Sequence, residues 1–339
     1  MRMKSFHLLG LMALAAATIH SQPTNGAVYW STVAPNCTSL AGELPVAITN
    51  SSGKTVGYSC YVSGTFVWLA AGGGWSSSIR VAAPASAPIG VDYTFYDTSG
   101  NNLKLDTTVG SGNEVGFALS PNQPSEIGLV GATSDAPQYG STATGSVYAV
   151  LYCPDAATCG DVAPQLLYSA LPATPWALSV PISWDTELWT QWSAEGIDDG
   201  GVHRVSLVIY NEDTIATSYM VRVYDSTGSL AGTGTTPPIS PLRPFSNGSF
   251  GEGGTYGALL SDVISTRLPA GVFKILVDGG SKYSAVEALQ FNGQSATALQ
   301  VAYDSAPGSS SSAASAERMN IRSARVESAR KQAFRALEK

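Results

Sequence analysis

The sequence predicts an all-β protein made of two tandem copies of one β-rich unit, and three observations predict it. The 339 residues are 44% hydrophobic and only 13% charged, against about 25% charged in an ordinary soluble domain. Apolar content this high argues against disorder, and charge this sparse against a coiled coil or a nucleic-acid-binding body. Runs rich in β-branched and aromatic residues alternate with Gly, Pro, Asn and Asp clusters about every ten residues, with no long helical period between them. Finally, one stretch of the chain recurs later at a constant offset.

Taken in order, the chain opens on a leader. Arg2 and Lys4 precede the apolar stretch Leu8 to Ala17, and Ala15-Ala16-Ala17 or the bond after Ser21 offers the cleavage site, so residues 1–21 read as a secretory signal. The apolar stretch is too short for a membrane span, which needs about 20 residues. Residues 22–64 form a hairpin unit, Leu44 to Asn50 and Lys54 to Tyr61 turning at Ser51-Ser52-Gly53, added to the edge of the first copy. The runs Val91 to Tyr96, Ser146 to Tyr152, Arg204 to Tyr210, Met220 to Tyr224 and Val272 to Val277 follow as strands.

Four cysteines in an exported chain read as disulfides, with three pairings open. The spacing favours neighbours, Cys37 with Cys60 and Cys153 with Cys159. A metal site would want histidine partners or paired Cys-x-x-Cys spacing, and the sequence has neither.

The repeat runs without a gap over its first stretch. Gly72-Gly73-Gly74-Trp75, then Ser78 to Val81, then Tyr96-Asp97-Thr98-Ser99-Gly100 are answered by Gly200-Gly201-Val202-His203, Ser206 to Ile209 and Tyr224-Asp225-Ser226-Thr227-Gly228, all 128 residues on. With insertions, Gly116 to Ser120 matches Gly257 to Ser261, Val147 to Tyr152 matches Val286 to Phe291, and Ala177 to Val180 matches Ala298 to Val301. In Tyr-Asp-x-x-Gly the tyrosine ends a strand, Asp caps the turn and Gly takes a positive φ. The rival for Asp97 and Asp225 is a calcium loop, which wants six or more oxygens.

The pattern Gly-Gly-Gly-Trp-Ser-Ser-Ser-Ile-Arg-Val, then Phe-Tyr-Asp-Thr-Ser-Gly-Asn, closing on Ala-Leu-Ser-Val-Pro, resembles the tandem immunoglobulin-like β-sandwich modules of secreted bacterial proteins. The likeness covers residues 65–304. It implies a first sandwich over 22–182, including the stapled hairpin 22–64, and a second over 183–304, in a non-catalytic extracellular module. It brings no functional residues with it.

Residues 305–316 are a Ser-rich flexible linker. Residues 317–339 then change character: five arginines, two lysines and three glutamates give +4 in a run of helix formers, predicting a basic helical tail. The remaining mature chain holds 9 basic and 22 acidic side chains, a net −13. Such a tail suits an acidic surface, its own body included, or plain solvation; its apolar stripe (Met319, Val326, Ala333, Leu337) is thin for a membrane.

Chemistry has few candidates. His203 is the single histidine beyond the leader region, and no Gly-x-Ser-x-Gly elbow accompanies it, so no catalytic residue is assigned and no enzyme is expected. Trp176, Trp184, Trp189 and Trp192 crowd the junction between copies, with Asp185, Glu187 and Glu195 nearby. Exposed indoles would stack on sugars; packing of the seam is the plainer role. Asp198 and Asp199, with Glu195 and Asp213, are the one speculative calcium loop; otherwise no cofactor is expected. The resulting reading is a secreted or cell-surface adhesion or ligand-binding protein whose partner is an extracellular glycan or protein. Its alternatives are a carbohydrate-binding module or glycan-active enzyme at the tryptophan-rich junction, and a structural spacer. No nucleic acid partner and no transmembrane segment are expected. Titration of the native, non-reduced protein with a thiol reagent should find no reactive cysteine, and four should appear after reduction and unfolding.

Overall fold

In a computed structural model the described residues are 29–37, 45–49, 53–72, 75–132, 142–170, 176–184, 189–244, 250–293 and 295–303. The leader, the linker and the basic helical tail lie outside them. The described chain is mostly β, with two short helices and no helix long and apolar enough to cross a membrane.

The first half supplies β1 (Val46–Thr49), β2 (Thr55–Ala71), β3 (Trp75–Ala82), β4 (Ile89–Asp97), β5 (Leu105–Thr107), β6 (Gly110–Gly112), β7 (Glu114–Leu119), β8 (Pro124–Ala132), β9 (Ala143–Cys153), α1 (Ala156–Gly160), β10 (Gln165–Ala170), β11 (Trp176–Pro181) and β12 (Ser183–Trp184). They form two antiparallel sheets, β1-β2-β9-β4-β7 with β12 also on β2, and β11-β10-β3-β8-β5-β6. Between these sheets lies a core containing Phe66, Leu69, Tyr93, Phe95 and Val147 from one layer and Ile79, Ile127 and Leu166 from the other.

The second half supplies β13 (Gln191–Asp198), β14 (Arg204–Asn211), β15 (Met220–Tyr224), β16 (Leu230–Thr235), β17 (Arg243–Pro244), β18 (Phe250–Gly251), β19 (Thr255–Leu259), α2 (Leu260–Val263), β20 (Gly271–Asp278), β21 (Ser284–Phe291), β22 (Ala296–Ala298) and β23 (Val301–Tyr303). Its two sheets run β16-β15-β20-β13-β23 and β19-β14-β21-β22, with β17-β18 a separate ribbon. β13 illustrates the period-two rule: Trp192, Ala194 and Gly196 turn inward while Glu195 and Ile197 turn outward. Trp192, Val205, Leu207, Val221, Phe273 and Ile275 meet in the second core.

The two halves share one connectivity. β7-β4-β9-β2-β12 corresponds strand for strand to β16-β15-β20-β13-β23, and β8-β3-β10-β11 to β19-β14-β21-β22. The first half adds β1 at one edge, where the sequence places the hairpin Leu44 to Tyr61, and β5-β6 at another, which the sequence does not anticipate. The gapless part of the sequence repeat places β3 on β14 and β4 on β15, in agreement with topology. Its two middle matches slip: β9 (holding Val147 to Tyr152) corresponds to β20, not to 286–291, and β7 to β16, not to 257–261. Short strands share alternation whatever their place in a sheet, so once insertions break the register a similar pattern is no guide to position. Ser183–Trp184, placed by sequence at the head of the second copy, pairs with β2 in the first sheet.

Both Tyr-Asp-x-x-Gly elements are turns of one design. Asp97 accepts the Ser99 and Asn101 amides at 2.8 and 2.9 Å, and Asp225 those of Thr227 and Ser229 at 2.9 and 3.0 Å. Gly100 and Gly228 take φ of +79° and +82° and donate to the Asp97 and Asp225 carbonyls at 2.9 Å. The carboxylates are spent on their own turns.

Disulfides join Cys37 to Cys60 and Cys153 to Cys159, the neighbour pairing. Cys60 and Cys153 face each other across the β2–β9 ladder, so both bridges anchor at one point of the sheet. The Cys153–Cys159 loop carries the single turn α1, N-capped by Asp155 accepting from Thr158 N at 2.8 Å.

The halves meet over an apolar seam. The β2–β9 register shifts between Phe66 and Leu69, and the intervening Val67 and Trp68 pack with Val208, Tyr210, Leu242 and Ala285 of the second half. Leu289 and Ala296, from β21 and β22, join the first core. Thr255 N donates to Thr98 O at 3.1 Å, which brings the first Tyr-Asp-x-x-Gly turn against the second half. Gly100 and Gly228 therefore differ. A Cβ on Gly228 meets open space, whereas one on Gly100 lands on the Glu252 carbonyl oxygen. Gly228→Ala should cost about 1 kcal/mol of left-handed strain. Gly100→Ala should cost clearly more in urea unfolding; equal losses would mean that this turn is not held against the second half.

Candidate functional site

The four tryptophans do not form one surface. Trp192 is 5% exposed, sits in the second core and donates its indole N–H to Ser284 O at 2.8 Å, an anchoring role for a buried indole. Trp184 is half-buried against the first core and Trp189 against the second. Trp176 lies on β11, and its side chain is outside the described residues, as are Asp185 and Glu187.

The Asp198–Asp199 loop is a turn whose oxygens are taken by its own amides. Asp198 accepts from Gly200 N at 2.9 Å and Val205 N at 3.3 Å. Asp199 accepts from Gly201 N at 2.8 Å and His203 N at 3.0 Å, and its other oxygen lies 3.0 Å from His203 Nδ1. The His203 side-chain bond, with the Gly201 amide, holds the Asp199 carboxyl below the usual range. Glu195 points from the outer face of β13, Asp198 is buried, and Asp213 lies 3.7 Å from Lys282 Nζ. Among the described residues no group of three or more His, Cys, Asp or Glu is placed to hold a metal ion.

Two features that the sequence reading missed stand out. The first is the outer face of the β16-β15-β20-β13-β23 sheet. Ile197 and Val272 are directly opposed on β13 and β20, 43% and 52% exposed. On β15 and β16, Tyr224 pairs with Leu230, which is 56% exposed. These are two apolar pairs on neighbouring rungs, for Tyr224 itself stands opposite Lys274, and Arg222, Glu195 and Asp278 share the same face. The matching face in the first half is closed: Ser59, Tyr61, Ser63, Asp92, Tyr148, Val150 and Tyr152 are all buried. The signal was present in the alternation of β13 and β20, whose out-facing positions are part apolar.

The second is a set of buried acids. Asp92 on β4 and Glu114 on β7 share the closed face, beside Tyr29, Tyr148 and Tyr152. Burial, then the charge of Glu114 and a hydrogen bond with it, pushes the Asp92 carboxyl well up. Glu287, opposite Val208 on β21, is half-buried at the seam; its Oε1 is shut off from solvent with no hydrogen-bond partner. Burial pushes its carboxyl up to about 8. Asp92 was visible as an acid inside the run Val-Asp-Tyr-Thr-Phe-Tyr.

No family model matches the chain, and neither a curated protein nor a solved structure matches it. The functional reading therefore stands on the site alone.

The seam carries a pH dependence. Glu287 keeps its proton up to about 8 in the folded chain but loses it near 4.3 when unfolded. Its contribution is full below the unfolded pKa and is lost as pH rises through the folded one. Wild type should thus lose stability relative to Glu287→Gln by at most about 1.4 kcal/mol per pH unit over that window. Urea midpoints across pH 4 to 9 measure this; parallel profiles would mean that Glu287 stays hydrated in the folded chain.

Proposed function

We propose that the chain is an exported, non-enzymatic adhesion or ligand-binding protein built from two immunoglobulin-like β-sandwich copies, and that the second copy carries the binding face. One observation carries this reading: the same sheet is covered in the first copy and open in the second, where Ile197, Val272 and Leu230 turn apolar side chains to solvent. An open antiparallel sheet is normally polar on its wet side, and exposed apolar side chains gathered among charges on one face mark an interaction surface. Two disulfides suit an oxidising compartment, and the leader-like start supports export. A protein or glycan with an apolar face fits these side chains, with Arg222, Lys274 and Glu195 at hand to set orientation.

Binding to arrays of extracellular matrix proteins and glycans tests it. Ile197→Arg and Val272→Arg should abolish capture while moving stability by no more than about 0.5 kcal/mol, as for other exposed positions. Capture that survives both changes but falls with Trp184→Ala or Trp189→Ala would move the site to the indoles and favour a carbohydrate-binding module.

A further inference from the structure

The closed face of the first half is fastened from outside by the segment 29–37. The Tyr29 ring lies over Gly90, where a Cβ would come within 2.9 Å of it, and Trp30 occupies the space above Gly57. Tyr29 and Trp30 meet edge to face at 5.1 Å, and Tyr29 and Tyr152 lie 6.0 Å apart between ring centres. Ser31 and Tyr58 exchange two backbone hydrogen bonds of 2.8 Å, and Ser59 Oγ donates to Tyr29 O at 2.8 Å. The Cys37–Cys60 bridge ties down the far end.

What this segment helps to cover is chemically awkward. Asp92 is 1% exposed, and among the described residues the one group that hydrogen-bonds its carboxyl is another acid, Glu114. Asp92 lies opposite Gly116 and Glu114 opposite Thr94, so the two acids are diagonal neighbours on one face with no side chain on Gly116 to part them. The titratable groups acting on this pair are Tyr29 from the segment above and Tyr148 and Tyr152 from β9. Every one of them is an acid. A fully buried carboxyl beside a half-buried one, with only acids around them, disfavours ionisation of both; one proton between them relieves the repulsion. Burial, with Asp92 adding, likewise pushes the Tyr29 phenol up to about 12, so it stays neutral above the pair.

We propose that residues 29–37 are an acid-held strap: a proton shared by Asp92 and Glu114 keeps it closed, and losing that proton lifts it and bares the Tyr61, Tyr148 and Tyr152 face. When both carboxylates carry charge they must regain water, and the weakest element lying over them gives way first. β4, β7 and β9 are held by ladders along their length, whereas the start of the strap is fastened through the Ser31–Tyr58 pair, the Ser59–Tyr29 bond and two seated rings. The disulfide tethers it, so opening is reversible.

Hydrogen exchange of the full chain, expressed as protection relative to intrinsic rates, tests this at about pH 5 and about pH 9, either side of a raised carboxyl. Protection of the Ser31 and Tyr58 amides should fall by up to about tenfold for each pKa unit by which the strap raises the pair, and the fall should vanish in Asp92→Asn. Should that variant not fold, Glu114→Gln is expected to remove the fall equally. Unchanged protection in wild type, a fall spread evenly over β4 and β9, or a full fall persisting in the folded variants would each overturn the proposal. Peptides from β21 report the Glu287 seam separately.

Discussion

The ladder between β2 and β9 is the constraint on which the rest depends. β2 is seventeen residues long, and different stretches of it do different work. Its first part pairs with β1 and receives the segment 29–37; Cys60 then faces Cys153, so both disulfides converge on one rung. Its middle builds the first core through Phe66 and Leu69. At the register shift that follows, Val67 and Trp68 reach into the second half. A regular strand would send these consecutive side chains to opposite faces. The irregularity lets both pack into the seam, and Gly257 leaves room for the Trp68 ring.

Much of this was legible in the sequence, and the boundary of legibility has a physical cause. β content, the hairpin at β1–β2, the Cys153–Cys159 bridge and the two Asp-capped turns are local, each depending on residues close together in the chain, and the Cys37–Cys60 bridge, 23 residues apart, still closes next to that hairpin. The Asp97 and Asp225 turns are the clearest case, with the equivalent amides bound at distances that agree to about 0.1 Å in both copies. Strand equivalence failed in the middle of the repeat because pairing is non-local. β9 and β21 have similar patterns, yet β9 lies between β2 and β4 while β21 lies between β14 and β22. The junction tryptophans scattered for the same reason. Trp192 is one residue of a two-residue alternation and turns inward, which proximity in sequence to Trp189 could not reveal.

The buried acids were the least visible because a strand's composition does not say whether its outer face is covered. On an open sheet Asp92 would be an ordinary solvated carboxylate; the strap makes it otherwise. Asp92 and Glu287 occupy corresponding situations, each on the outward side of a sheet that another part of the chain covers, one by residues 29–37 and the other by the seam. In both places the cost of burying a carboxylate without a cation is met by retaining the proton. The proton thereby becomes part of the packing, and both closures weaken in the same direction as pH rises.

The asymmetry between the copies follows from how the chain spends its extra residues. The shared strand set leaves each copy with two outer faces to dispose of. One face of the second copy, on β14 and β21, is closed against β2 of the first. In the first copy, residues added before β2 close the face of β9 and β4. The corresponding face of β20 and β15 receives no such addition among the described residues, and it is there that Val272 and Leu230 stand exposed. Covering the first face required a strap, a disulfide and two glycines shaped to seat aromatic rings, so leaving apolar side chains bare on its counterpart is the feature that sets the second copy apart. A shared connectivity with opposite treatment of one face is thus the difference between the two halves: the first covers that face and the second leaves it open.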